Sequence, residues 1–301
     1  MKLFLFLSIG VLLGPSFSKI SYPESFSGFI SFCANMFLFV AGLELSLRKT
    51  KECLPQALRL TVGAFVLPFA VGLLTAWILF HTSDGLNFTT QSWFFLAIAL
   101  SVSALPVAVQ ILKDLNLYHT DIGRLIISTA TLCDVIAWVG FAFLLSGEGL
   151  GSWIKSHLPV FLFFAGLGLS DLKFWKKSWT AGLEKMSTWI FGPIFFICIG
   201  WKINLLTHFN LTQVLIVFTT ACLSKFLGAY FAAKFIGHSP KQSTLIGLAL
   251  NSRGAVEILI ASLALRQGLI DATLFTTLIV VAVGTSLLPE PLTHLLKLTK
   301  E

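Results

Sequence analysis

IISTATLCDVIAWVGFAFLLS, residues 126–146, carries one charge, Asp134. About 20 apolar residues in helical form cross the hydrocarbon core of a bilayer. The stretch therefore reads as a membrane-spanning helix. An aspartate at its centre costs about 2.5 to 3.5 kcal/mol on insertion scales. Such a residue persists when it pairs with another charge or lines a polar cavity. The question that decides the reading is what surrounds Asp134.

The rest of the chain shares this character. Its 301 residues are 56% hydrophobic and 12% charged, with 29 Phe and 8 Trp. A soluble domain averages about 25% charged residues; half of that leaves too little polar surface for a soluble fold. The net charge of +7 marks cytoplasmic loops of a membrane chain and gives no sign of a nucleic-acid partner. The five cysteines, Cys33, Cys53, Cys133, Cys198 and Cys222, have no paired spacing, so they suggest neither a disulfide framework nor a zinc site. No cofactor motif is present.

Ten apolar runs recur near 3–18, 26–47, 60–80, 91–112, 122–146, 153–169, 186–201, 211–236, 243–265 and 271–296. They lack the alternation of barrel strands, so the expected fold is all-α. Fourteen basic residues, Arg48, Lys49, Lys51 and Arg59 among them, lie in the even-numbered connections and the tail. Only Lys19, Lys155, Lys202 and Arg266 follow odd-numbered runs. That bias puts both termini in the cytoplasm. The first run also fits a cleaved leader, with Lys2, an apolar stretch and small residues near Ser16 and Ser18.

Five ionisable residues fall in or beside these runs: Glu44, Asp134, Lys225, Arg253 and Glu257. Glu44 stands one turn before Arg48, the spacing of a structural i,i+4 pair. Arg253 and Glu257 have the same spacing and either brace a helix break or act directly. Asp134 and Lys225 lie near the centres of long runs. A buried ion pair gains little net stability, whereas a carboxylate at mid-membrane can carry a proton or a monovalent cation.

The fourth run, ALSVSALPVAVQIL (99–112), contains Pro106 with Ser101 and Ser103 nearby. The ninth, LALNSRGAVEIL (248–259), contains Asn251, Ser252 and Gly254. Both read as broken helices, and broken helices at membrane depth are tolerated only against protein or water. Each is the middle of three consecutive runs. The two sets of three start on opposite faces, which makes them inverted repeats, by pattern rather than by sequence identity. Paired interrupted helices in inverted halves point to the midplane site of a secondary transporter.

These stretches resemble the second branch of the monovalent cation/proton antiporters, the bacterial and plant sodium- or potassium/proton exchangers. ALSVSALPVAVQILKDLNLYHTDIGRLIISTATLCDVIAW (99–138) is similar to that branch's broken helix and the helix ending in Ala-x-x-Asp-Asp. NSRGAVEILIASLALRQGLI (251–270) is similar to its Arg-Gly-Ala-x-Glu segment, and LSKFLGAYFAAKFIG (223–237) to its Gly-Lys-x-x-Gly helix. GVLLGPS (10–16) and FLFVAGLEL (37–45) match its early helices. The resemblance covers most of the chain in the family's order.

The resemblance implies a sodium/proton antiporter-like fold of about ten helices in two domains. Residues 58–147 and 211–301 would form the ion-transport core, and 1–57 and 148–210 the scaffold and dimer interface. Asp134 falls on the family's second aspartate, which binds cation or proton. Ser103, Thr131 and Cys133 complete the expected ion-binding set. Lys225, Arg253 and Glu257 fall on the core charge network, and Pro106 and Gly254 on the two breaks. Cys133 stands where many members have a first aspartate, which frees Lys225 to pair with Asp134. Relative to the family, the chain lacks two helices before FGPIFFICIGWKINL (191–205) and one at the start.

The expected function is secondary active exchange of Na⁺ or K⁺ for protons by alternating access, electroneutral, in a homodimer in the bacterial inner membrane. One titratable carboxylate holds one proton or one cation, so both loaded forms have equal charge. The alternative is a shortened, transport-inactive relative that serves as an assembly partner or sensor. Enzymatic chemistry is not expected. Aspartyl intramembrane hydrolases need two deep aspartates, and no serine–histidine or zinc spacing lies in the runs.

Overall fold

The computed structural model describes residues 2–18, 27–44, 53–82, 89–103, 105–145, 150–170, 182–183 and 185–288. Arg48, Lys49, Lys51, Lys19 and the residues beyond 288 lie outside the described set, as do the side chains of Glu44 and Pro106. The expected Glu44–Arg48 pair falls there.

Every described element is helical. In chain order they are α1 (Lys2–Leu13), α2 (Ser27–Glu44), α3 (Leu54–Thr82), α4 (Thr90–Ser101), α5 (Leu105–Asp114), α6 (Asp121–Leu144), α7 (Leu150–Leu169), α8 (Gly192–Lys202), α9 (Leu205–His208), α10 (Leu211–Phe235), α11 (Pro240–Leu250), α12 (Ala255–Arg266) and α13 (Ala272–Leu287). All ten expected apolar runs contain helix. α3, α6 and α10 are each long and apolar enough to cross a bilayer unbroken. A wider π turn, Ser187–Phe191, leads into α8.

The chain divides into two compact units. One comprises residues 1–48 and 145–209, the other 49–144 and 210–301. Residues 54–57 fall in the second unit, with α3 running through them unbroken.

In the first unit α1 packs on α8, and α2 on α7. A Cβ on Gly10 would strike the Ile197 carbonyl, and one on Gly200 the Leu7 carbonyl. Gly42 and Gly166 stand in the same relation, against the Phe163 and Phe39 carbonyls. Lipid tails are as apolar as leucine, so helices in a bilayer associate through such close backbone packing.

In the second unit α3 lies along α10, meeting it at Gly63 and Gly228. The broken helices open with matching signals. Thr89 and Ser92 form a capping box before α4, and Ser239 and Gln242 form one before α11. Each box satisfies amide groups that the first turn leaves without intrahelical acceptors. α10 and α12 close at Gly237 (φ 103°) and Gly268 (φ 68°), left-handed positions that glycine takes without steric cost.

The first break lies upstream of its proline. α4 stops at Ser101, Val102 is extended (ψ 147°), and α5 resumes at Leu105. Pro106 thus sits in the first turn of α5, where a missing N–H costs nothing. A proline ring clashes with the carbonyl four residues back. That residue is Val102, where the chain leaves the helix.

Candidate functional site

The two breaks meet inside the second unit, and each supplies donors to the other. Where α4 stops, the carbonyls of Ala99, Leu100 and Ser101 have no amide donors from a following turn. They also form the negative end of the half-helix dipole. Arg253 Nη1 donates to the Ala99 carbonyl at 2.6 Å, and Nη2 to the Leu100 carbonyl. Lys225 Nζ, from α10, donates to the Ser101 carbonyl. Two buried cations therefore close the end of α4.

The reverse contact is lighter. α11 stops at Leu250, whose carbonyl accepts Ser103 Oγ at 3.2 Å. Ser252 Oγ donates back to the Ala249 carbonyl at 2.8 Å. Ser286 on α13 donates to the Arg253 carbonyl, so the second break is held from a third helix.

Arg253 also pairs with Glu257, Nη1 to Oε1 at 3.0 Å, with side chains 0% and 1% exposed. The i,i+4 pair expected from sequence is therefore present, and it braces the α4 end rather than only its own helix. Gly254 precedes α12 with φ −177°, an extended backbone.

Asp134 sits on α6, 2% exposed, close to the first break. The Ser103 backbone N–H faces its carboxylate. Among the described residues its Oδ1 has no hydrogen-bond partner. Cys133 is fully buried, with Ser103 Oγ beside its sulfur. Thr131, one turn before Asp134, gives its hydroxyl proton to the Ile127 carbonyl at 2.9 Å.

Lys225 is 0% exposed and near enough to act electrostatically on Cys133, Asp134, Arg253 and Glu257. Among the described residues it makes no ion pair with Asp134 within 4.0 Å. The expected direct Lys225–Asp134 pair is thus not formed, because the ammonium is held by the Ser101 carbonyl. With Lys225 there, one carboxylate oxygen is left open in a site that water barely reaches.

The structure therefore brings Ser103, Cys133, Asp134, Lys225, Arg253 and Glu257 around the crossing of the two breaks. Thr131 shares the helix of Asp134 but has committed its proton, and the side chain of Pro106 lies outside the described residues. Sequence reasoning missed the carbonyls of Ala99, Leu100 and Ser101 as acceptors, and Ser286. A carbonyl has no sequence signature, and one serine in an apolar run is not distinctive. Among the described residues no three His, Cys, Asp or Glu side chains cluster as a metal site. A lone carboxylate with neutral oxygen and sulfur neighbours matches a singly charged cargo better than a tightly held divalent ion.

The transmembrane sodium/hydrogen exchanger family model matches residues 2–152 and 141–294. The chain is similar to cation/H(+) antiporter 17 of Arabidopsis thaliana, 25% identical over 359 aligned residues, covering 94% of this chain and 44% of the relative. It is similar to K(+)/H(+) antiporter 1 of Saccharomyces cerevisiae, 24% identical, with 95% and 42% covered. With the Na(+)/H(+) antiporter NhaS4 of Synechocystis sp. it is 23% identical, with 93% and 85% covered. The chain thus spans less than half the length of the plant and yeast relatives. Among solved structures, the sodium proton antiporter MjNhaP1 of Methanocaldococcus jannaschii at pH 8 superposes with a TM-score of 0.68 at 14% identity, covering 99% of this chain and 92% of that one. That likeness shows the fold. With the family model matching nearly the whole length, the chain is an integral, multi-pass membrane protein that belongs to the sodium/hydrogen exchanger family.

Proposed function

We infer that the protein exchanges a monovalent cation, Na⁺ or K⁺, for protons by alternating access, with Asp134 as the carrier. The observation that carries this reading is the Asp134 carboxylate, buried beside the crossed breaks with Oδ1 unpartnered among the described residues. A charged oxygen without a partner in a low-dielectric site costs several kcal/mol. A proton or a cation relieves that cost, and only one fits at a time, so binding of either displaces the other.

The exchange is electroneutral on a charge count. Arg253 and Glu257 cancel, Lys225 offsets ionised Asp134, and Cys133 contributes a thiol, which is neutral at physiological pH. Proton-loaded and cation-loaded sites then carry the same charge. The relatives named for Na(+)/H(+) and K(+)/H(+) antiport support the substrate class. The first compact unit serves as scaffold and homodimer interface, and the second carries the ion. The basic bias of the even-numbered connections supports cytoplasmic termini, here in a bacterial inner membrane.

A second reading is favoured by one observation. The alignment with the first plant relative runs to 359 positions, more than the chain's 301 residues, so that relative carries residues without counterparts here. A thinned scaffold fits an inactive assembly partner or sensor. Purified protein in liposomes with a trapped pH-sensitive dye separates the two. Adding Na⁺ or K⁺ against an acid-inside gradient should collapse the gradient in wild type and leave it intact in Asp134→Asn. A gradient that stays intact in wild type with both cations would sustain the second reading.

A further inference from the structure

We propose that the C-terminal end of α11 binds a monovalent alkali cation, Na⁺ or K⁺, with Asn251 Oδ1 as its side-chain ligand. The site does not use the carrier carboxylate, and it stands whether or not Asp134 exchanges ions.

The two half-helices end alike but are closed unlike. α4 ends on the carbonyls of Ala99, Leu100 and Ser101, and the repeat offset carries these onto Ala249, Leu250 and Asn251 at the end of α11. The α4 end holds two side-chain cations, Arg253 Nη1 at 2.6 Å from the Ala99 oxygen and Lys225 Nζ on the Ser101 oxygen. The same offset leads from Arg253 to Ser103 and from Lys225 to Thr75, both hydroxyls. Ser103 Oγ donates to the Leu250 carbonyl at 3.2 Å. Thr75 spends its proton inside α3, on the Val71 carbonyl at 2.8 Å. Ser252 Oγ adds a second neutral donor at the α11 end, to the Ala249 carbonyl at 2.8 Å. A helix C-terminus carries about half a negative charge. At α4 two cations answer that charge, and at α11 two hydroxyls do.

Asn251 stands at this second end. It caps α11, with its N–H on the Gly247 carbonyl at 3.1 Å, and it is 6% exposed. Its Oδ1 is shielded and has no hydrogen-bond partner among the described residues. A buried acceptor without a donor is costly. A carbonyl oxygen has two lone pairs, so that of Leu250 keeps one beside the Ser103 bond. Amide and carbonyl oxygens are neutral ligands of the kind that replace the hydration shell of an alkali cation. A calcium ion takes about six to eight oxygens, carboxylates among them, whereas Asn251 brings one neutral oxygen. A single positive charge therefore suits the end of α11.

The test uses the whole chain, purified in detergent as Asp134→Asn so that the carrier carboxylate is gone. Thermal unfolding is read in NaCl, KCl and choline chloride at equal ionic strength. Na⁺ or K⁺ should raise the unfolding temperature saturably, by about 2 to 4 °C over choline at ten times the half-saturating concentration. Adding Asn251→Leu should remove that shift. Asn251→Asp, which makes the ligand anionic, should instead lower the half-saturating concentration about tenfold, and it decides the matter where the leucine variant does not fold. Equal unfolding temperatures in alkali and choline salts for Asp134→Asn overturn the site. A shift that survives Asn251→Leu, or a half-saturation unmoved by Asn251→Asp, overturns it as well. The exchange reading fails separately, through absence of cation-driven proton flux in the wild-type chain.

Discussion

Ser103 and Arg253 reach into each other's repeat: Ser103 caps Leu250 at the end of α11, and Arg253 caps Leu100 at the end of α4. Leu100 and Leu250 are separated by the same sequence offset as Ser103 and Arg253, and so are the cap residues Thr89 and Ser239. The contact is thus one interaction made twice across the repeat axis, once by a hydroxyl and once by a guanidinium. Asp134 has no such twin, since the same offset leads to Gly284. The repeats share a frame, and one of them holds the carrier.

The asymmetry of that contact predicts unequal costs. Ser103→Ala removes one neutral hydrogen bond and should lower stability by about 1 kcal/mol. Arg253→Gln strands Glu257 and frees the Ala99 and Leu100 carbonyls, a loss of about 3 to 5 kcal/mol. Thermal unfolding in detergent should rank them so, with Arg253→Gln/Glu257→Gln less damaged than Arg253→Gln alone. Equal unfolding temperatures for the two single variants would contradict the brace.

Asp134→Asn keeps the shape of the carrier and removes its charge. The variant should insert, elute and unfold as wild type does, and should give no cation-driven proton flux. Flux retained in that protein would remove Asp134 as carrier.

Lys225→Ala should act differently. Its ammonium donates to the Ser101 carbonyl. Loss of the side chain exposes that carbonyl and should cost about 1 to 3 kcal/mol of stability. Turnover should fall less than in Asp134→Asn. A full-speed, full-stability variant would mean that the α4 end does not need its second cation.

Voltage tests the charge count. Moving one elementary charge across 100 mV changes the free energy by about 2.3 kcal/mol. In liposomes clamped by a potassium ionophore, Na⁺ exchange should keep the same rate and end-point whatever potential is imposed. A rate that follows the potential would make Lys225 a second proton carrier.

Much of this was legible before any coordinates. Apolar runs of spanning length announced the helices, and the polar residues inside the fourth and ninth runs announced the breaks, because a bilayer tolerates such residues only at built sites. The position of the first break was displaced. The helix gives way at Val102, four residues before Pro106, and α5 resumes at Leu105 with the proline in its first turn. The partners of Arg253 and Lys225 were hidden for another reason. Spacing shows neighbours on one helix, as with Glu257, whereas the α4 carbonyls lie across a tertiary contact. The pairs Gly10–Gly200 and Gly42–Gly166 were hidden likewise, since a glycine says that something approaches closely and not what.

The Arg253–Ala99 bond joins residues 154 positions apart, and that separation becomes a delay when the chain is made. Ribosomes add about 5 to 20 residues per second, so α4 waits roughly 8 to 30 seconds for the guanidinium that closes its end. During that interval the nascent first repeat holds an unclosed helix end and an aspartate without Lys225. Release of α4 and α6 into lipid one at a time would expose both to hydrocarbon. Completion of the first repeat is therefore tied to translation of the second, and a chain truncated before residue 253 leaves the Ala99 and Leu100 carbonyls without the guanidinium that closes them.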